Sequence, residues 1–189
     1  FQGKKEYFEH IRSMNIEGAK YAGGYFNPSE QKIALFWQGS REATLALLFH
    51  EITHCYTSFT FKAIPQALNE GFSTYMETAA LDPKKCVFGT FSPIHFPQFK
   101  SMLEKNQIIP LQRFLSLKGY GMGTMEETFG EKEYAEAWAL IWFCLHGSPD
   151  MAKDFKNYLR QIRTHEDPEG RKFLKEVVKK EGLFMQKWI

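Results

Sequence analysis

The sequence lacks the features that mark several large classes of protein. It has only 3 cysteines in 189 residues, too few for a disulfide framework. No apolar run reaches the roughly 18 residues that a membrane-spanning helix requires. Basic and acidic side chains nearly balance, and the net charge of +2 gives no electrostatic case for binding nucleic acid. The chain also lacks internal repeats, and residues 119–124 are rich in glycine without the lysine of a phosphate-binding loop.

The rest of the composition is typical of one globular domain. Hydrophobic residues make up 43% of the chain and aromatic residues 16%, which is ample for one core at this length. The tripeptide Phe1-Gln2-Gly3 resembles the end of a protease-cleavable tag linker, so we expect residues 1–3 to be a tag remnant and residues 4–189 to form a single domain. Any signal peptide then lies outside the sequence. Localisation therefore stays open, with a secreted or cell-envelope protein among the options, and so does the oligomeric state.

Residues 50–54 carry the motif H-E-x-x-H, the most informative pattern in the chain. His50 and His54 are four residues apart, so on a helix they lie one turn apart on the same face, where both imidazoles can reach one zinc ion. Glu51 stands where such a motif places the general base that takes a proton from water activated by the metal. A chance match is the alternative, and with 6 histidines in the chain it is a rare one.

The surrounding residues predict that this motif lies on a helix. Ser40 is a favourable N-cap, and Glu42 places an acid in the first turn, where the helix dipole stabilises it. Apolar residues then recur at helical spacing and predict a buried stripe, with the motif beside it. The predicted stripe consists of Leu45, Leu48, Phe49, Ile52 and Tyr56.

A catalytic zinc site needs a third protein ligand, and Glu70 is the candidate. Residues 64–77 predict a second helix, with proline in its first turn. Glu70 follows His54 by 16 residues, enough for one helix to end and another to pack against it. Thr74 and Glu77 share its helical face, so either is placed to orient a ligating histidine. The alternative for Glu70 is a solvated surface carboxylate.

Together these motifs resemble the gluzincin metallopeptidases. The resemblance rests on the H-E-x-x-H motif followed by Asn69-Glu70-Gly71-Phe72, and it covers residues 40–80 well and the chain to about residue 147 loosely. It is strongest to small bacterial peptidase-like domains of unknown function. The resemblance implies that Zn²⁺ is the metal, with Glu51 as general base. The implied ligands are His50, His54 and Glu70.

A later helix carries the last residue that the resemblance implies. Residues 131–143 predict a helix with a long apolar run, ending at Gly147. Gluzincins commonly have a tyrosine at the start of such a helix, where its hydroxyl stabilises the oxyanion formed in the reaction, and Tyr134 occupies that place. The alternative for Tyr134 is a packing role.

The expected fold is α+β and zincin-like, with a thermolysin-like catalytic core. Residues 22–26 and 32–37 predict an antiparallel hairpin after a short helix at 4–15. Residues 86–97, rich in phenylalanine, proline and glycine, predict a loop. A mostly helical remainder is expected, with further helices at 97–106, 110–117, 149–164, 169–181 and 183–188.

These expectations lead to zinc-dependent hydrolysis of peptide bonds, with a peptide or protein as substrate. The aminopeptidase branch of the resembling superfamily holds the free amine with a G-x-M-E-N motif ahead of the metal helix. No such motif precedes this helix, and residues 123–127 are only superficially similar, so we expect an endopeptidase. Two alternatives stay open: a zincin-fold binding module that has lost turnover, and a metal-dependent hydrolase of a non-peptide amide.

Overall fold

A computed structural model describes residues 1–14, 22–82, 85–119 and 129–179. The chain is mixed α+β and mostly helical. The elements follow in the order α1 (Lys4–Ser13), β1 (Gly24–Asn27), β2 (Lys32–Leu35), α2 (Arg41–Thr60), α3 (Gln66–Met76), β3 (Ala80–Asp82), β4 (Lys85–Val87), α4 (His95–Glu104), α5 (Leu111–Leu115), α6 (Glu131–His146), α7 (Pro149–Gln161), α8 (Arg171–Phe173) and a π-helical segment (Leu174–Val178).

The predicted hairpin is confirmed as the antiparallel pair β1–β2. Tyr25 is opposite Ala34 and Phe26 is opposite Ile33. Phe1 extends this unit, because its terminal amine donates to Leu35 O at 2.8 Å and its carbonyl accepts from the backbone N–H of Trp37 at 3.1 Å. A small core of Tyr7, Ile11 and Phe36 joins α1 to the hairpin.

A second antiparallel hairpin, β3–β4, lies where the sequence predicted the start of a loop. The prediction of a loop over 86–97 is wrong at both ends, because β4 runs to Val87 and α4 begins at His95. Strands of three residues are too short for alternation to reveal them in a sequence. The helix predicted at 183–188 and the glycine-rich turn from residue 120 onward lie outside the described residues.

The main core lies between α3 and α6. Gly71 allows these helices to touch, since a Cβ atom at that position would lie 2.6 Å from the carbonyl oxygen of Ala137. Ala137 and Ile141 of α6 face Gly71, and Trp138 and Leu140 are buried on other sides of the same helix. Glu70 directly precedes the contact, so the packing of α3 on α6 fixes its place in the molecule.

A buried carboxylate on α6 has little compensation. Glu136 is fully buried and both of its oxygens accept from the backbone N–H of Ile109, at 3.2 and 3.3 Å. Burial raises the pKa of Glu136 to about 8, and the nearby charge of Glu133 adds to the rise, whereas the hydrogen bond from Ile109 opposes it. This group takes no part in the candidate site below.

Helix α2 turns a different face to the interior from the one predicted. Ile52 is 43% exposed and Tyr56 is 65% exposed, whereas Glu51, Thr53 and Thr57 are buried. Apolar side chains occur on several sides of α2, so their spacing did not determine which side packs against α3 and β1. The prediction of a buried stripe is therefore wrong for Ile52 and Tyr56. Among the described residues, no helix combines the length and the apolarity needed to cross a bilayer.

Candidate metal centre

Helix α2 presents the two histidines of the motif to one point. It begins after Ser40, whose Oγ accepts from the N–H of Ala43 at 3.1 Å, as expected for an N-cap. His50 and His54 then lie one turn apart, with their Nε2 atoms separated by 3.0 Å. Helix α2 alone therefore supplies two converging nitrogen donors.

Helix α3 supplies a carboxylate oxygen at the same point. Oε2 of Glu70 lies 3.4 Å from Nε2 of His50 and 3.5 Å from Nε2 of His54. Gln66 orients the carboxylate, because its amide donates to Oε1 at 2.7 Å. Oε2 is buried and has no hydrogen-bond partner among the described residues. A buried carboxylate oxygen without a donor is a position at which a cation could bind.

The spacing of these three atoms can be compared with the dimensions of a zinc site. Donors about 2.0–2.1 Å from a tetrahedral zinc ion are about 3.3–3.4 Å from one another. The observed separations of 3.0, 3.4 and 3.5 Å fall around that value. His50, His54 and Glu70 are also the one group of three such residues with converging ligand atoms in the described part of the chain. The donor set therefore fits a metal ion of this size.

A second group of side chains orients the histidines. Nδ1 of His50 lies 2.7 Å from Oε1 of Glu77, and Nδ1 of His54 lies 3.2 Å from Oγ of Ser73. When each Nδ1 carries the proton, each Nε2 presents a lone pair to the metal position. Thr74 does not fill the supporting role suggested for it. Its hydroxyl donates to the carbonyl oxygens of Glu70 and Gly71 on its own helix, at 2.8 and 3.1 Å.

His95 is a neighbour of the centre that the sequence did not predict. Its Nε2 lies 3.1 Å from Oε2 of Glu77, so Glu77 connects His95 to His50. His95 follows the motif by a long stretch and belongs to no motif, so nothing in the sequence pointed to it. The contact of Ser73 could have been predicted from the sequence, because Ser73 follows Glu70 by three residues and therefore lies next to it on the helix surface.

The electrostatics of the centre favour positive charge. Burial would lower the pKa of His50, but the carboxylates of Glu70 and Glu77 outweigh burial and raise it to about 10. The pKa of His54 is raised in the same way, with Glu70 overcoming the effect of burial. Burial would raise the pKa of Glu70, yet His54 and His50 hold it well below its usual range. Burial would raise the pKa of Glu77 as well, but His50 and His95 lower it, so two ionised carboxylates face the imidazoles.

Glu51 lies beside this triad and is held by the hairpin. It is 5% exposed. Gly24 on β1 permits the close contact, since a Cβ there would lie 3.2 Å from Cγ of Glu51. Burial raises the pKa of Glu51, while the charges of His50 and His54 and a hydrogen bond from the backbone N–H of Phe26 oppose that rise. A carboxylate with a raised pKa is better suited to accept and return a proton.

Two cavities reach the centre from different sides. The first, which we call the His50 cavity, has a volume of about 410 Å³ and is bordered by His50, Glu51 and Tyr134. The second, the His54 cavity, has a volume of about 590 Å³ and is bordered by His54 and Glu70. The ring centroid of Tyr134 lies 6.2 Å from that of His50. The structure therefore brings Tyr134 to the same cavity as Glu51, although Tyr134 comes from α6.

The arrangement combines three side chains that could hold a metal ion with a neighbouring carboxylate and a phenol, and the His50 cavity and the His54 cavity each reach part of it. Three protein donors of this type leave a fourth coordination position free, which is the composition of catalytic rather than structural zinc sites. Comparisons with known proteins add nothing to this geometry: no family model, no curated protein and no solved structure matches the chain at a significant level.

Proposed function

We propose that this protein is a zinc-dependent peptidase of the gluzincin type. The observation that carries the proposal is the convergence of His50 Nε2, His54 Nε2 and Glu70 Oε2 within 3.5 Å of one another, with Glu51 beside them. A zinc ion held there supplies the Lewis acidity that activates water and polarises a carbonyl. The residues of the chain provide the remaining steps.

Glu51 is proposed as the general base. It is adjacent to His50 in sequence, it borders the same cavity, and its pKa is raised by burial. It takes the proton from the attacking water and passes it to the departing amine. Tyr134 is proposed to donate its hydroxyl hydrogen to the oxygen that becomes negative as the carbonyl is attacked, which stabilises the transition state more than the bound substrate.

The edge of β1 that faces away from β2 favours a peptide as the substrate, although the backbone N–H of Phe26 on that edge already donates to Glu51. Phe36 N–H donates to Gly23 O at 3.4 Å, so in the alternating antiparallel pattern the backbone groups of Gly24 and Phe26 point away from β2. Gly24 borders the His50 cavity and Phe26 borders the His54 cavity. An extended chain bound along this edge lies across the centre by adding a strand to the hairpin.

The two cavities favour an endopeptidase. Because space is open on the His50 side and on the His54 side, a substrate can continue in both directions from the bond that is cleaved. Among the described residues, the acids that border the two cavities are Glu51, Glu70 and Glu77, and Glu77 is already engaged by His50 and His95. We therefore expect cleavage of peptides with blocked ends and poor cleavage of single-residue anilides.

Metal analysis combined with a peptide-library digest tests the proposal. We expect about one zinc ion per chain, cleavage of N-blocked peptides, loss of cleavage with a chelator and its return with zinc. His54→Ala should abolish tight zinc binding. Full zinc retention in that variant would show that the ligands are elsewhere. Retained zinc with no cleavage of any library would instead identify a binding module, and cleavage of anilides alone would identify an exopeptidase.

A further inference from the structure

A third cavity, besides the His50 and His54 cavities, lies on a different face of α2 from the candidate metal ligands. It is a groove of about 710 Å³ between α2 and α7, which we call the α2–α7 groove. Its floor is formed by Phe61, Phe72 and Met76, and Ile52 and Tyr56 stand at its α2 wall. None of the three metal ligands borders it, so the groove is separate from the candidate active site.

The α2 wall of the groove has the pattern of a helix–helix contact, and it is exposed in the part of the chain that the structure describes. Ile52, Tyr56 and Phe59 follow one another at spacings of four and three residues, which places them on one face of α2. They are 43%, 65% and 64% exposed. Large apolar side chains repeated at helical spacing normally lie against a partner, and a contiguous exposed patch of this kind indicates an interaction site.

The opposite wall is basic. Lys153, Lys156, Arg160 and Arg163 recur at spacings of three and four residues, and all four are exposed. Arg160 and Arg163 border the groove directly. Asp154, the nearest acid on α7, pairs with Lys179 and lies on another side of the helix. The groove therefore presents an apolar floor with a row of positive charge along one side.

We infer that the α2–α7 groove is a docking site for an acidic amphipathic helix of another protein. The apolar face of such a helix would cover Ile52, Tyr56 and the floor, and its acidic flank would face Arg160 and Arg163. The four cations extend over about 15 Å of helix, which is longer than one lipid headgroup or one small anion can span. The concave floor also disfavours a flat membrane, because Phe61 and Phe72 are recessed behind the walls. Residues 180–189 of this chain carry two lysines and one glutamate, the wrong charge for this groove.

The probe for this inference is a fluorescent peptide of about 18 residues, close to the length of α2, with leucines at helical spacing and glutamates on the flanks. Its twin carries lysine in place of glutamate. We expect the acidic peptide to bind the full chain, with an affinity that falls as the salt concentration increases. The basic twin should bind at least about tenfold more weakly. The readout is fluorescence anisotropy, and it does not depend on peptidase activity or on bound metal.

Exposed positions allow variants that spare the fold. Arg160→Glu combined with Arg163→Glu should lower the affinity for the acidic peptide by at least about tenfold and reduce the difference in affinity between the two peptides. Tyr56→Ser should lower the affinity for both peptides. The matched controls are Lys105→Glu and Trp37→Ser, exposed residues of the same kinds away from the groove, which should change neither affinity. Circular dichroism verifies that each variant is folded.

Three results would overturn the inference. Equal binding of the two peptides would remove the role of charge. Binding that survives the groove variants but is lost in a control would place the site elsewhere. In the third, neither peptide binds, but the chain binds phosphatidylserine vesicles or dimerises on a sizing column in a way that depends on Tyr56. Vesicle binding would assign the surface to a membrane, and dimerisation would assign it to a second copy of the chain.

Discussion

Two faces of helix α2 differ in how their side chains are satisfied. On the metal face, His50 and His54 each contact an orienting side chain, Glu77 and Ser73, and both approach Glu70. On the groove face, Ile52 and Tyr56 are large, apolar and exposed. On the metal face, the three side chains that could hold a cation are already oriented by their neighbours. On the groove face, no surface among the described residues covers the apolar side chains, so the same helix combines a preorganised polar site with an exposed apolar one.

The largest effect should come from the metal face. Glu51→Gln keeps the shape of the side chain and removes the base, so we expect turnover to fall by about 10²–10⁴-fold with zinc content unchanged. Peptide cleavage and metal analysis of the same sample measure both quantities. Unchanged turnover with zinc still bound would mean that another group takes the proton.

Tyr134→Phe should have the next largest effect. It preserves the ring beside His50 and removes the hydroxyl, so kcat should fall by about 10²–10³-fold while KM, zinc content and melting temperature change little. If kcat is unaffected, the residue serves packing alone. Phe129, which contacts the Tyr134 ring at a centroid distance of 5.3 Å, offers the matched packing control as Phe129→Leu.

Glu77→Gln tests the orienting contact to His50. The amide can still accept a hydrogen bond but lacks the charge, so zinc affinity should fall by about 10–100-fold, as measured by competition with a chromophoric chelator. Thr74→Ser is the control, because that hydroxyl bonds to carbonyls of its own helix. An equal loss in both variants would indicate general disturbance of α3 instead of a specific role for Glu77.

Glu136 sharpens the comparison, since it is a buried carboxylate without the cationic partners of Glu70. Its pKa is raised to about 8 in the folded chain, so the folded state holds a proton that the unfolded state has released. The contribution of Glu136 to the free energy of unfolding should therefore be greatest below about pH 4.5. It should fall as the pH rises toward 8, by at most about 1.4 kcal/mol per pH unit. Glu136→Gln should flatten that part of a urea-denaturation profile. A profile of unchanged slope would contradict the assignment.

The smallest effect belongs to the groove face. Tyr56→Ser removes a side chain that is 65% exposed, so the free energy of unfolding should change by no more than about 0.5 kcal/mol. Chemical denaturation checks this value. A loss of more than about 2 kcal/mol would mean that Tyr56 belongs to the core of the folded chain.

The sequence predicted those parts of the site that are set by local spacing. His50 and His54 converge because a helix places residues four apart on one face, and Glu70 could be located because a compact motif surrounds it. His95 reaches Glu77 through the packing of α4, a contact that no spacing along the chain encodes. The fold follows the same division, with β1–β2 and the long helices predicted and the three-residue strands missed.

The error on α2 has a related cause. Ile52 and Tyr56 do share one helical face, as their spacing predicts, but periodicity describes a face and does not say what lies against it. Glu51 and Thr57 are buried instead because α3 and β1 pack on their side. On α2 a glutamate is buried and an isoleucine is exposed, which is the reverse of where these residue types normally lie. Such exceptions occur where a polar site is built into a fold.

The contact at Gly71 has a consequence for partly folded states of the chain. Two of the three candidate ligands share one helix and would stay together in any state that keeps α2, but Glu70 reaches them only while α3 packs against α2, and the close contact at Gly71 lets α6 hold α3 in place from another side. A compact state that retains its helices but loses fixed side-chain packing therefore keeps the histidine pair and loses the third donor. Tight binding of a metal ion would then show that α3 is packed in its native position. On gradual unfolding, we expect the metal to be released before the helices melt.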